Sequence, residues 1–253
     1  MPKHSFSKHS ERDTKRIAEL TGCECILLPF DLTARQITDL YIREYSEGLK
    51  NEYTPVILSL HKELCGSIEQ NYRQHGGRDG FRDTMLSEGS ADSEEIFNKL
   101  YEENGLDEYD DNEEDDKESD FNSFTGVPMA CFGFLTPDDH ADYDNCLIKI
   151  PTDKPWEIFA WLPFGGWNAC PYSSDMISVS RHWHEKYGAV PAAVTEDTLQ
   201  FYLPKPVTER EEAMRLADEQ YIVCQDIVDQ GTESVGSLAA SLIDSSIWFF
   251  WWD

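Results

Sequence analysis

The last residues before Asp253 constrain the fold more than any other part of the chain. Ile247 to Trp252 is a run of six apolar residues, five of them aromatic. This composition is typical of a strand that is packed on both faces or that covers a large hydrophobic surface. We therefore expect these residues to lie in the core, so that truncation here is badly tolerated.

Length and charge limit the number of domains and the class of partner that this chain can have. The chain has 253 residues, of which 40% are hydrophobic and 12% aromatic, enough for a sizeable core in one large domain or two modest ones. Acidic side chains number 49 and basic ones 21, giving a net charge of -28. Such a surface repels nucleic acid and anionic membranes and attracts cations or a basic protein, although acidity also promotes solubility by itself.

The cysteines indicate a reducing compartment. There are seven, an odd number, with no CxxC pair and no apolar stretch near the N-terminus that resembles a secretion signal. We therefore expect a cytoplasmic protein without disulfides. Cys23 and Cys25 lie on one face of a predicted strand and are interpreted as small buried hydrophobes rather than as a redox or metal pair. No cofactor, metal or membrane partner is expected, and the oligomeric state is left open.

The N-terminal part of the chain predicts a β-α-β unit. Residues 1–20 are polar and are expected to form an arm, or the start of a helix through Ile17 and Leu20. The unit with its following helices is assigned to residues 21–100. Its predicted elements are a strand over 25–30, a helix over 33–48, a strand over 55–60, and helical pieces over 64–100 broken at Gly76-Gly77 and Gly80.

An acidic segment separates the two parts. Residues 101–120 contain twelve carboxylates and one lysine. Self-repulsion predicts a flexible insert over 101–125, with loose cation binding or capture of a basic partner as alternatives. The spacing of a calcium-binding EF-hand loop is not met.

The C-terminal part, residues 126–253, predicts a second set of strands and helices. They are a strand over 156–164, a helix over 173–187 closed by Gly188, strands over 190–194 and 199–203 joined by a turn, helices over 208–221 and 235–243, and the terminal strand. The fold class is α+β, with a mainly antiparallel or mixed sheet, helices packed on it, a split β-α-β-like C-terminal part and a preceding β-α-β unit. We expect residues 126–253 to form one unit with 21–100, sharing a common sheet.

Several segments of the C-terminal part resemble one bacterial family. They are Trp161-Leu-Pro-Phe-Gly-Gly-Trp-Asn168, His184-Glu-Lys-Tyr-Gly188, Asp197-Thr-Leu-Gln-Phe-Tyr202, Gln220-Tyr-Ile-Val-Cys-Gln-Asp226 and the Trp-Trp-Asp end. This pattern is similar to the domain of unknown function 4253 family over roughly residues 150–253. The resemblance implies a bacterial, cytoplasmic, single-copy domain, and it implies no activity and no catalytic residues.

A turn before the helix at 173 is the first candidate site. Paired glycines let backbone amides face a ligand, and the turn is predicted where a strand meets a helix N-terminus. The simpler alternative is that the glycines only turn the chain and let a tryptophan pack. The candidate ligand-binding residues of the turn are Gly165, Gly166, Trp167, Asn168 and Cys170.

A second polar cluster follows a predicted helix and contains Asp226, Asp229 and Gln230 beside Cys224. The two segments would share a pocket only if they were adjacent in space. Cys224 is a poor candidate nucleophile, because no base is close in sequence and a helix C-terminus raises the pKa of a thiol. The two aspartates are alternatively expected to accept hydrogen bonds from backbone amides.

The pair His182 and His184 does not predict a metal site. Two residues along a helix correspond to a rotation of about 200°, so the rings point to nearly opposite sides. With Trp183 in the buried stripe of the helix, the histidines are expected to flank it near the surface. No metal ligands and no catalytic residues are assigned.

The sequence contains no phosphate loop, no GxSxG elbow, no HExxH and no dinucleotide fingerprint. Together with the charge, this favours a non-enzymatic cytoplasmic protein-binding module, for example an immunity-type inhibitor of a basic toxin or nuclease. The alternative is an enzyme or small-ligand sensor whose pocket is formed by the 165–170 turn and the 226–230 segment. Nucleic-acid mimicry would require a rigid acidic run, which the composition disfavours.

Overall fold

A computed structural model describes residues 8–61, 63–106, 114–132 and 144–253. Its helices are α1 Lys8–Thr21, α2 Ala34–Asn51, α3 Leu64–Gln74, α4 Arg78–Glu88, α5 Ser93–Glu103, α6 Glu114–Ser123, α7 Ser173–Tyr187, α8 Arg210–Val223 and α9 Val235–Leu242. Its strands are β1 Glu24–Leu27, β2 Thr54–Ser59, β3 Asn145–Ile150, β4 Val190–Val194, β5 Thr198–Tyr202 and β6 Ile247–Trp251. A 3₁₀-helix spans Pro155–Ala160 and a π-helical turn spans Ile227–Thr232. The α+β class is confirmed.

The strands of both halves form one mixed sheet in the order β1-β3-β2-β4-β5-β6. Both β1 and β2 are antiparallel to β3, which lies between them, so β1 and β2 run parallel to each other. The β1-α2-β2 unit is therefore a split β-α-β unit into which β3 inserts. The split arrangement expected in the C-terminal part thus occurs at the N-terminal end of the sheet.

The C-terminal strands have a different arrangement. Strand β4 is parallel to β2, and β4, β5 and β6 are successively antiparallel. The β4–β5 register shifts between Pro191 and Ala193, and pairing of β4 with β2 begins only at Ala193. Because proline lacks a backbone N–H, a bulge at this point is the expected consequence.

The two faces of the sheet bury separate cores. On one face, Trp183 of α7 packs against Phe201, Trp248 and Phe250, with ring centroids 5.3–5.8 Å apart. Helices α3–α5, α8 and α9 extend this core. Helix α2 covers the other face, where residues such as Tyr41 form the second core. The expectation that the terminal strand is buried is confirmed, since Trp248, Phe250 and Trp252 are 2% exposed or less.

Two predicted elements are corrected. The predicted strand over 156–164 is instead the 3₁₀-helix Pro155–Ala160 followed by an irregular segment. A proline begins the helix, and its last three residues are all buried, which fits one turn against the core better than an alternating strand. Strand β3 was not predicted: it is short and carries Lys149, so its own pattern is weak.

The helix boundaries differ in detail from the prediction. The break at Gly76-Gly77 is present, but Gly80 lies inside α4, and the second break falls between Glu88 and Ser93. Of the two alternatives for the N-terminal residues, the structure shows the helix: α1 spans Lys8–Thr21, and its Ile17 is fully buried.

The acidic segment predicted as a flexible insert is helical at both of its described ends. The end of α5 covers residues 101–103, α6 covers 114–123, and residues 107–113 lie outside the described part. Helix α6 packs closely on α9 at Gly236. Any Cβ at this position would lie 2.2 Å from the carbonyl oxygen of Lys117, so only glycine fits. Lys117 also pairs with Asp218 of α8 at 2.9 Å.

The described residues include no helix with the length and apolar character that a membrane crossing requires. The seven cysteines are all free thiols, and five of them are buried.

Candidate functional site

The Gly165–Tyr172 segment forms a closed turn before α7. The amide of Gly166 donates to the carbonyl of Cys170 at 3.0 Å, and the amide of Cys170 donates to Trp167 at 2.9 Å. The Ser173 hydroxyl donates to the carbonyl of Phe164 and accepts from its amide, both at 2.9 Å. The Gly166 amide is therefore engaged inside the turn, and ligand binding by the turn stays a prediction.

Both glycines are required by the backbone of this turn. Gly165 and Gly166 have φ of +77° and +79°, in the left-handed region that side chains rarely adopt. A Cβ at Gly165 would lie 1.8 Å from the carbonyl oxygen of Pro171, and one at Gly166 would meet the Tyr172 ring at 2.9 Å. The turn holds Tyr172 out from the surface, where 65% of the residue is exposed.

Two clefts open on either side of this turn. The smaller, of about 300 Å³, lies between the turn and the end of α5. Its lining includes Gly166, Asn168 and Cys170 of the candidate site, together with Glu103 and Asn104. Asn168 is exposed and has a positive φ of 47°.

The larger cleft, of about 440 Å³, lies between the turn and helices α3 and α4. Gly165 and Trp167 of the candidate site line it. Phe81, Met85 and Phe164 form a buried apolar part of the wall. All five predicted residues of the turn therefore border a cleft.

An ion pair separates the two clefts. Lys99 of α5 donates to Asp175 of α7 at 2.8 Å and lies 4.0 Å from Glu103. Asp175 lines both clefts, and its side chain is only 7% exposed. Burial lowers the pKa of Lys99, but the hydrogen bond and the charges of Asp175 and Glu103 outweigh it, so the net shift is upward. Lys99 therefore stays charged and ties α5 to α7.

The second predicted segment lies near the turn but borders neither described cleft. Asn104 links the two: it lines the smaller cleft, donates to the carbonyl of Ile222 at 2.8 Å and accepts from Gln225 at 3.2 Å. Asp226 accepts from the amide of Asp253 at 2.9 Å and from Gln230 at 2.8 Å. The amide bound by Asp226 is thus that of the last residue, not one in the connection to α9.

The cysteines next to these segments are buried. Cys170 is 4% exposed and Cys224 is fully buried, and the Cys224 thiol donates to the carbonyl of Trp251 at 3.0 Å. Burial raises the pKa of Cys224 to about 12 and also raises that of Cys170, with a smaller contribution from Cys224. Neither thiol therefore has the thiolate character of a nucleophile.

We expect Cys170 and Cys224 to resist alkylation in the folded protein. At about pH 8 a thiol with a raised pKa of this size reacts with iodoacetamide roughly a thousandfold more slowly than an unperturbed cysteine. Peptide mass spectrometry after timed labelling measures each rate, and labelling in urea gives the unprotected reference. Fast labelling of Cys224 in the native protein would contradict its burial and restore the nucleophile hypothesis.

The two histidines of α7 are separated as predicted. His182 Nε2 lies 3.2 Å from Glu219 of α8, whereas His184 Nδ1 lies 3.0 Å from the carbonyl of Ala189. Trp183 between them is fully buried and donates from its indole to Glu219 at 3.0 Å. In the part of the chain that the structure describes, no group of three or more histidine, cysteine or acidic residues could hold a metal ion.

Sequence reasoning missed the residues that complete the cleft walls. They come from α3, α4 and α5, and they include His75, Glu88 and Lys99. No local motif marks them, because they reach the turn only through tertiary packing. The one residue of the cleft walls that a local pattern could have indicated is Tyr172. It is an aromatic residue directly before α7 and seven positions after Gly165.

Comparison with known proteins adds one match. Residues 146–253 match the family model described as Domain of unknown function (DUF4253). No curated protein and no solved structure matches the chain. The matched segment starts on β3 and contains the candidate turn, α7 and the aromatic strand β6. The resemblance of the C-terminal part of the chain to this family is therefore confirmed.

Proposed function

We propose that the protein is a non-enzymatic binding module for a basic protein partner, as an immunity-type inhibitor of a cationic toxin or nuclease would be. The observation that carries the proposal is a group of carboxylates on the end of α5, the π-helical turn after α8 and the last residue, segments that hydrogen bonds connect. We name this group the acidic end, and its members are Glu102, Glu103, Asp226, Asp229, Glu233 and Asp253.

Hydrogen bonds keep the elements of the acidic end together. The Asn104 contacts with Ile222 and Gln225 join the end of α5 to the end of α8. The Tyr221 hydroxyl donates to Asp229 at 3.2 Å, and Asp226 holds the backbone of Asp253. The carboxylates are thus presented on a fixed backbone, which reduces the ordering entropy that binding would otherwise cost.

These carboxylates are available to a partner. Five of the six residues are exposed, and Asp226 is half-buried. Among the described residues only Glu103 has a cationic neighbour within 4.0 Å, namely Lys99. The whole chain has a net charge of -28, which adds a long-range attraction for cations. The acidic end therefore favours fast, salt-sensitive association with a cationic protein. A bacterial, cytoplasmic setting is part of the proposal, and seven free cysteines support it.

The proposal is tested by affinity capture from the native host, with identification by mass spectrometry at low and high ionic strength. The test variant combines Glu102→Gln, Glu103→Gln, Asp229→Asn and Glu233→Gln, which neutralises four carboxylates without removing a helix. We expect the wild-type chain to retain a basic protein at low salt, and the variant to retain at least about tenfold less.

The matched control neutralises four exposed carboxylates elsewhere, namely Glu11→Gln, Glu19→Gln, Asp31→Asn and Asp83→Asn. The control changes the net charge by the same amount as the test variant. A difference in retention between the two therefore reports binding at the acidic end and not the overall charge of the protein. Equal retention by both variants, or retention that is indifferent to salt, would count against the acidic end as the binding surface.

A further inference from the structure

The larger cleft has the size and composition of a small-molecule site, and we propose that it binds a small organic cation with a flat apolar body. The cleft volume of about 440 Å³ falls in the range of about 300–1,000 Å³ typical of ligand pockets. A single side chain of a partner protein would leave much of this volume empty. No residue of the acidic end lines this cleft, and the inference does not rest on the proposed partner.

The walls supply flat apolar surface at the mouth and at the base. Phe81 is 1% exposed and Phe164 is 5% exposed, so both are fixed by the core. Trp167 packs edge-on against Phe164 with ring centroids 5.2 Å apart, and it is only half-buried. The exposed ring of Tyr172 lies on the same side. Aromatic faces of this kind attract both planar groups and cations.

The charges around the cleft favour a cation over an anion. Lys99 and Asp175 neutralise each other in their 2.8 Å ion pair. Glu88 is exposed and forms no ion pair with any residue that the structure describes, so one uncompensated carboxylate lines the cleft. The net charge of -28 adds a field that opposes anions.

One feature of the cleft would favour an anion, namely the N-terminus of α7, which borders it through Ser173 and Ser174. The positive end of the helix dipole lies there. Asp175 in the first turn is already paired with Lys99, so the helix end contributes about half a positive charge. The full negative charge of Glu88 outweighs it, so the balance at the cleft still favours a cation.

His75 adds a ring nitrogen to the wall. Its Nδ1 lies 2.8 Å from the carbonyl oxygen of Asn71, and its ring packs edge-on against Phe81 at 5.2 Å. Because a carbonyl only accepts, Nδ1 carries a proton, and Nε2 is the other polar atom of the ring. The cleft thus combines a carboxylate and an imidazole ring with aromatic walls, and the carboxylate and the walls match the chemistry of an arylalkyl ammonium ion.

The test is isothermal titration calorimetry of the full chain with three probes that share one ring: 2-phenylethylammonium, 3-phenylpropionate and 2-phenylethanol. We expect the ammonium ion to bind at least about tenfold more tightly than the carboxylate, a difference of about 1.4 kcal/mol. Failure of all three probes to bind, or equal affinity for ammonium and carboxylate, would overturn the proposal.

Two matched variants place the binding in the cleft. Glu88→Gln should weaken ammonium binding about tenfold, whereas Glu185→Gln, an exposed carboxylate on α7 outside the cleft lining, should leave it unchanged. Equal losses in the two would mean that only the overall field acts, which overturns the site. Ser67→Trp puts a large ring at an exposed lining position, so it should abolish binding without lowering the thermal midpoint. Undiminished binding by this folded variant would also overturn the proposal.

Discussion

Replacement of Phe250 by alanine is expected to lower the free energy of unfolding by about 3–5 kcal/mol. Phe250 is fully buried and stacks on Trp183 with ring centroids 5.3 Å apart. It also contacts Phe201 at 5.6 Å and Trp252 at 6.1 Å. Alanine would leave a cavity among rigid rings that cannot collapse to fill it, so most of the loss persists after relaxation. Urea denaturation followed by tryptophan fluorescence measures the change.

The matched control for this prediction is Phe249→Ala on the same strand. Phe249 is half-buried and points to the opposite face of β6, away from Trp183. We expect it to lower the free energy of unfolding by about 2 kcal/mol or less, because less surface returns to water. Similar losses in the two variants would show that burial of Phe250 in the Trp183 cluster is not what stabilises the C-terminal strand.

Elements with strong local signals could be predicted from the sequence. Helix α7 has an apolar stripe and ends at Gly188, whose φ is +71°. Helix α2 begins at Thr33 with the capping box to Gln36 that the sequence at this point favours. The hairpin between β4 and β5 and the aromatic strand β6 follow equally local patterns. In each case the residues that define the element are its own neighbours in the chain.

The sheet order could not be predicted in the same way. Strand β3 is only six residues long, and its insertion between β1 and β2 is fixed by pairs such as Ile26 with Leu147 and Val56 with Ile148. These pairs connect residues about ninety positions or more apart, so no hydrophobic periodicity within a short segment predicts them. The aromatic content of 156–164 resembled a strand, whereas Pro155 at the start and three consecutive buried residues at the end favour a 3₁₀-helix over Pro155–Ala160.

The candidate site shows the same division. The paired glycines of the turn were readable, because only glycine tolerates both the positive φ and the approach of Pro171 at Gly165. The cleft walls from α3 to α5 could not be predicted from the sequence, because Glu88 and Lys99 come near the turn only through the packing of α4 and α5 on α7. The proposed sharing of a pocket with 226–230 depended on tertiary distance, and the structure places Gln225, the residue before that segment, against Asn104 of the smaller cleft.

A buried glutamine on β5 gives the second large expected effect. Gln200 is fully buried, and neither its amide oxygen nor its amide nitrogen has a hydrogen-bond partner among the described residues. It lies opposite Ala193 and Phe249 and on the same strand face as Tyr202. Desolvating an amide without partners opposes folding by about 1–3 kcal/mol. We therefore expect the amide to weaken the second core.

Gln200→Met is expected to raise the free energy of unfolding by about 1–3 kcal/mol, because methionine keeps the length of the side chain and removes the unpaired amide. Urea denaturation again measures the change. Gln225→Met is the control: its amide donates to the carbonyl of Asn104 at 3.2 Å, so the same substitution should lower stability by about 1 kcal/mol. A loss of stability in Gln200→Met would mean that the amide has a partner, such as a buried water, and that the second core depends on it.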